Sequence, residues 1–276
     1  MAATLGVLAL ALAGCRGLLI PDPPAELQAA ATELADAAAS LTGVAEATGE
    51  VHAVDAKDKP GLWYSILQVQ AQHADDLLSV STALTDVIRS AHSDFQRVDL
   101  QLTVPGDEQR SEVLVRNANG MLLDAADTAR QWRDVEIVEF GSALEDDLYI
   151  KVNGAPTAGM VQLARDEVIA VAPVPIGIIF SWENDGRQGS VTVTATAPEA
   201  KLADALEEIR ALPDVQYLNY SRRASSGNSL IITAKDIERV EKVLENMTAA
   251  PGEIACTSFF IHNDVSEVQG KVGACE

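Results

Sequence analysis

Apolar and polar positions along this chain follow two periods, and the two periods take turns. Helical spacing of apolar residues predicts helices over 25–41, 74–91, 118–132, 157–172, 199–212 and 235–248. The clearest is 199–212: Leu202, Leu206, Ile209 and Leu212 fall on one face, and Glu199, Lys201, Asp204, Glu207 and Glu208 fall elsewhere. The last helix repeats the pattern with Ile237, Val240, Val243, Leu244 and Met247. Between the helices lie β-rich stretches at 62–69, 97–104, 112–116, 135–140, 147–152, 175–182, 190–196, 215–220, 229–234 and 253–261. Many of them alternate apolar and polar residues as half-buried strands do.

The order of these elements repeats. Ser111 to Trp182 reads β-α-β-β-α-β, and Gly189 to His262 reads the same at an offset of about 80 residues. Val113 and Val115 match Val191 and Val193, Leu148-Tyr149-Ile150 matches Leu230-Ile231-Ile232, and Phe180 matches Phe260. Residues 25–104 read α-β-β-α-β, the same unit without its first strand. This order resembles the split βαβ, or ferredoxin-like, arrangement. The resemblance implies an α+β protein of three tandem ferredoxin-like modules, at 25–104 (partial), 111–182 and 189–262, followed by a C-terminal tail at 263–276. Each module is then an antiparallel sheet with its helices on one face. The rival arrangement is one continuous sheet through all the α-β-β units. The loops 105–110, 142–147, 183–189 and 222–228 read as strand or module connections.

Composition narrows the function. Hydrophobic residues make up 47% of the chain, enough for buried cores, but aromatics are only 4%, which does not suit a surface built on ring stacking. The formal charge of −21 repels phosphate backbones, so no nucleic-acid partner is expected, and adsorption to anionic headgroups is disfavoured.

The N-terminal segment changes the picture. Leu5 to Ala13 is a short apolar run, far from the about 20 residues that a spanning helix needs but suited to the h-region of a secretory signal. Leu12-Ala13-Gly14-Cys15 follows at once. These four residues resemble the lipobox of bacterial lipoproteins: an aliphatic residue, a small residue, Gly or Ala, then Cys. The segment departs from secretory signals in that Met1 to Thr4 holds no Lys or Arg. The resemblance implies that 1–14 is a signal peptide removed on export and that Cys15 carries diacylglycerol and palmitate-type acyl chains. Residues 15–24, with Pro21, Pro23 and Pro24, then form a tether. Two acyl chains are enough for stable anchoring. The body would be extracytoplasmic and held on the bacterial cell membrane.

With Cys15 lipidated, two cysteines remain, Cys256 and Cys275. Disulfides persist outside the cytoplasm, so an exported chain is expected to bridge this pair; the alternative is two free thiols.

Catalytic patterns are absent. His52, His73, His92 and His262 have no histidine partner at helical spacing, no Gly-rich phosphate loop precedes a Lys-Ser/Thr, and no Gly-x-Ser-x-Gly elbow occurs. Glu145-Asp146-Asp147 lacks the alternation and terminal Glu of an EF-hand, and reads as a solvated hairpin turn; Glu183 and Asp185 form a second acidic pair. No metal, cofactor or catalytic residue is expected, and the chain is read as non-enzymatic. The expectation is an envelope lipoprotein that binds or scaffolds a protein partner through its repeated modules. The alternatives are a small-molecule binder with its ligand at an inter-module groove, or an envelope hydrolase with a polar pocket near His73 or His92.

Overall fold

A computed structural model of the chain describes residues 22–55, 59–91, 95–116, 120–132, 137–142, 148–173, 175–223, 227–248 and 254–275. The protein is a mixed α+β structure with six α-helices among the described residues. They are α1 (Ala25–Ala39), α2 (Leu77–Ala91), α3 (Gly120–Ala129), α4 (Ala158–Leu163), α5 (Ala200–Ala211) and α6 (Ile237–Thr248). The strands are β1 (Val44–Asp55), β2 (Lys59–Ala71), β3 (Val98–Val104), β4 (Glu112–Arg116), β5 (Ile137–Ser142) and β6 (Leu148–Asn153), then β7 (Ile176–Asn184), β8 (Arg187–Val193), β9 (Val215–Arg223), β10 (Gly227–Ala234), β11 (Thr257–His262) and β12 (Glu267–Val272). No helix among the described residues is long and apolar enough to cross a membrane.

The chain divides into two compact units, Met1–Pro105 with Leu114–Ala118, and Gly106–Val113 with Asn119–Glu276. In the first unit β1 pairs antiparallel with β2, and β2 pairs parallel with β3 across the α2 crossover. The α-β-β-α-β order expected for 25–104 is present. Helix α1 is rich in alanine, and Ala31, Leu34, Ala35 and Ala38 are buried. It lies so close to β1 that a Cβ on Gly49 would stand 2.3 Å from the Ala31 carbonyl oxygen. Small side chains on both elements permit that approach. The turn into α2 is held by the carboxylate of Asp76, which accepts from the His73 backbone N–H at 2.9 Å.

In the second unit the strands from β5 to β12 lie in chain order. Partners joined by a hairpin are antiparallel: β5–β6, β7–β8, β9–β10 and β11–β12. Partners joined through a helix are parallel: β6–β7, β8–β9 and β10–β11. A parallel neighbour requires a crossover connection, which the helices supply. The tandem ferredoxin-like modules are not confirmed. A split βαβ inserts another strand between the two that flank a helix, whereas here the flanking strands pair directly, as Leu230 with Phe259 and Gln188 with Tyr217. Segments 111–182 and 189–262 contribute adjacent strands, β7 and β8, joined by a tight turn at Asp185-Gly186 with φ of 47° and 73°. Such a turn is the two-residue hairpin connection favoured by right-handed strand twist. The segment held to be a C-terminal tail, 263–276, contains the edge strand β12.

One face of this sheet is buried under helices. On β10, Asn228, Leu230, Ile232 and Ala234 are buried, and the residues between them are more exposed. Ile150, Ile178, Phe180, Val191, Val193, Leu218, Tyr220 and Ile261 continue the buried face across the other strands. Helices α4, α5 and α6 pack side by side over it, and Leu202, Leu206, Ile209, Val240 and Leu244 face inward. Each such side chain stabilises the fold by about 1.5–3 kcal/mol when fully buried. The matched landmarks Val113/Val115 and Val191/Val193 are all buried. Phe180 and Phe260 do not match: Phe180 is in the core, while Phe260 pairs with Ile231 on the opposite face.

Candidate functional site

The sheet face of the second unit opposite its helices carries an ordered row of side chains. Asn153, Ser181, Ser190 and Asn219 stand in register across β6, β7, β8 and β9. Ser181 Oγ donates to Asn153 Oδ1 at 3.3 Å, and Asn219 Nδ2 donates to Ser190 Oγ at 3.2 Å. The same row continues through Ile231, Phe260 and Gln269. Ile231 is 37% exposed, and the Phe260 ring stacks on His262 at 5.2 Å. Short hydroxyl and amide side chains keep this strip flat and leave hydrogen-bonding capacity at its surface. Ile231 and Phe260, between Asn219 and Gln269, give it a place to exclude water.

Three strand glycines receive an aromatic ring from the residue directly opposite. Tyr149 lies over Gly177, Trp182 over Gly189 and Phe259 over Gly270, where a Cβ would meet ring atoms at 2.5, 2.4 and 2.4 Å. Such cross-strand pairs bury a ring against backbone that would otherwise be bare.

Where β6 and β7 begin and β8 and β9 end, a cleft of about 580 Å³ opens between Tyr149, Ile169, Pro173, Pro175, Thr196 and Arg222. Ile169 reaches it from a π-helical turn, Ala164–Ile169, that continues α4. In this turn Arg165 donates to the Thr194 carbonyl at 3.4 Å and to the Pro198 carbonyl. The Thr194 N–H donates to the Ala197 carbonyl at 2.7 Å, and the Ala197 N–H to Thr194 Oγ1 at 3.2 Å, closing the wall as a tight turn. Tyr220, two residues before Arg222 on β9, is fully buried, with its hydroxyl unpaired among the described residues. Burial, and then the Glu199 carboxylate, hold this phenol above the ordinary tyrosine range.

The expected sites are distributed as follows. Cys15 lies outside the described residues, as do Glu145-Asp146-Asp147 and His92. The sulfurs of Cys256 and Cys275 are 2.05 Å apart, at disulfide distance. These residues flank β11 and β12, whose Thr257 and Val272 pair, so the link closes the open end of the terminal hairpin. His52 lies 3.1 Å from Glu50 and stacks on Tyr64, whose ring also receives Arg97 at 4.4 Å. His73 belongs to the turn before α2, and His262 Nε2 meets Thr233 Oγ1 at 3.0 Å. Asp185 is a turn residue of the β7–β8 hairpin. Among the described residues no three His, Cys, Asp or Glu side chains gather to hold a metal ion. The cleft is lined by residues of both segments, 111–182 and 189–262, where a groove was an alternative expectation, but its lining residues and the glycine-seated rings were not anticipated. Gly177, inside the strand stretch 175–182, is a signal in the sequence that points to close approach, whereas Gly189 and Gly270 fall in stretches that read as a loop and a tail.

No protein-family model matches this chain, and neither a curated protein nor a solved structure matches it.

Proposed function

We propose that this chain is an exported, lipid-anchored bacterial envelope protein that acts without catalysis, binding a protein partner through the sheet face of its second unit opposite the helices. The observation that carries the reading is the cysteine inventory. Cys256 and Cys275 stand at disulfide distance, a bond that suits an oxidising compartment, and the remaining cysteine, Cys15, closes the lipobox-like run Leu12-Ala13-Gly14-Cys15. The strip from Asn153 to Gln269 supports the binding half, because strands from both repeated segments lie in one sheet and present a single surface. A surface with a polar stretch and an apolar pair within it suits a partner of similar make-up.

Two measurements on the full chain in a bacterial host test this reading. Alkylation of chain extracted from the membrane fraction without reductant is expected to find no free thiol; three alkylatable cysteines in a soluble fraction contradict it. A photo-crosslinking residue at Ser190, on the strip, is expected to give a discrete adduct that the same residue at Glu208, on exposed α5, does not. Equal yields at the two positions, or none, contradict partner binding there.

A further inference from the structure

We infer that the cleft beside Arg222 binds a small amphipathic carboxylate, its apolar body against Tyr149, Ile169, Pro173 and Pro175 and its carboxylate on the Arg222 guanidinium. This goes beyond the anchoring and partner reading and stands whether or not Cys15 carries lipid.

Four observations converge. The volume, about 580 Å³, lies in the range of about 300–1,000 Å³ that small-ligand sites occupy. The walls are built for an apolar body. The Tyr149 ring lies over Gly177, where a Cβ would stand 2.5 Å from Cε1, so the glycine is what lets the ring take its place in the cleft. Isoleucine and proline side chains add further apolar wall without rotamer-rich groups to immobilise.

The charge is in the right place. The chain holds 41 acidic and 20 basic residues, so a cleft lined by a cation and by no described acidic side chain stands apart from the chain's overall charge. Arg222 donates to Thr196 Oγ1, and among the described residues it enters no ion pair and no acidic side chain lines the cleft. A guanidinium carries five N–H donors in a planar fork that matches a carboxylate. One hydroxyl leaves most of that fork available.

The site is also formed in advance. Arg165, from the π-helical turn, holds the Thr194 and Pro198 carbonyls, and the Thr194–Ala197 turn is closed by its own hydrogen bonds. Turns of π-helix inside α-helices recur at functional sites. Here the turn delivers both Arg165, which fixes the wall, and Ile169, which belongs to it.

Isothermal titration of the full chain with 1-naphthoate and with the neutral 1-naphthamide tests the assignment. The carboxylate is expected to bind at least about tenfold more tightly than the amide, a difference that Arg222→Gln abolishes by weakening the carboxylate alone. Ala172→Trp, which fills the cleft, is expected to abolish binding of both while leaving the circular dichroism spectrum and Tm near those of the parent. Equal affinities for acid and amide in the parent overturn the inference. So do naphthoate binding unchanged in Arg222→Gln or in a folded Ala172→Trp variant, and the absence of any naphthoate binding at millimolar concentration.

Discussion

Gly189 has room for a hydrogen atom and nothing larger. A Cβ there would stand 2.2 Å from the Leu218 carbonyl oxygen and 2.4 Å from Trp182 Cζ2, and the first of these is backbone that cannot rotate away. Gly189→Ala is therefore expected to lower stability by about 1–3 kcal/mol, measured by urea denaturation. Asp107 offers a second test at this scale. Its carboxylate accepts from Arg110 Nε at 2.9 Å, and from the N–H groups of Gln109 and Arg110 at 2.8 Å each. These bonds, the Arg110 side chain first, lower its pKa to about 2. The folded value lies below the ordinary aspartate value of about 3.9, so ionised Asp107 favours the fold above that pH, and the contribution fades as pH falls toward 2. NMR titration is expected to place Asp107 near 2 and to find it moved up toward the ordinary value in Arg110→Ala. Legibility at this scale was uneven. The buried identities of Val191, Val193, Ile150 and Ile232 follow from alternation. The partners of Gly177, Gly189 and Gly270 do not, because which ring faces a glycine depends on strand register, and a slip of one residue exchanges the faces. When the Leu148–Ile176 pair is laid on the Leu230–Phe259 pair, Phe260 stands an odd number of residues out of step with Phe180 and so takes the opposite face.

At the scale of elements, the C-terminus of α5 depends on a residue from a different strand. Arg187, at the start of β8, donates to the carbonyls of Leu212 at 2.8 Å and Val215 at 2.9 Å, and to that of Arg210. The last carbonyls of a helix have no partner inside it, and a cation there also meets the negative end of the helix dipole. Arg187→Ala is expected to destabilise by about 1.5–3 kcal/mol, the worth of charged hydrogen bonds, with Arg187→Lys recovering only part because a point charge does not reproduce the fork. Thermal and urea unfolding of the two variants check this. The helices themselves were legible: all six lie within the predicted stretches 25–41 to 235–248, because their apolar positions recur at helical spacing. Strand β12 was not, since Glu267, Gln269, Gly270 and Lys271 give an edge strand little apolar alternation. The loop 183–189 reads as a strand or module connection and marks the boundary between segments 111–182 and 189–262, although its Asp185-Gly186 pair between alternating runs is itself a hairpin signal. That single reading separated two segments which the β7–β8 pairing joins.

For the molecule as a whole, the α+β class follows from alternating periods, and the strand order does not. The β-α-β-β-α-β string is compatible with a split βαβ and with neighbouring parallel strands, and the string contains nothing that chooses between them. The second unit takes the second course, and a sheet that continues through both repeated segments presents an unbroken face opposite its helices. An acidic chain of −21 gains no help from anionic headgroups in reaching a membrane surface, so the proposed attachment depends on covalent lipid. Cys15 is thus the residue on which the proposed location rests. Metabolic labelling of the full chain in a bacterial host with an alkyne fatty acid tests it most directly. Label is expected on the parent, in the membrane fraction, and lost together with membrane association in Cys15→Ala. Label retained on Cys15→Ala, or a parent chain that takes up none, contradicts lipid anchoring at this residue.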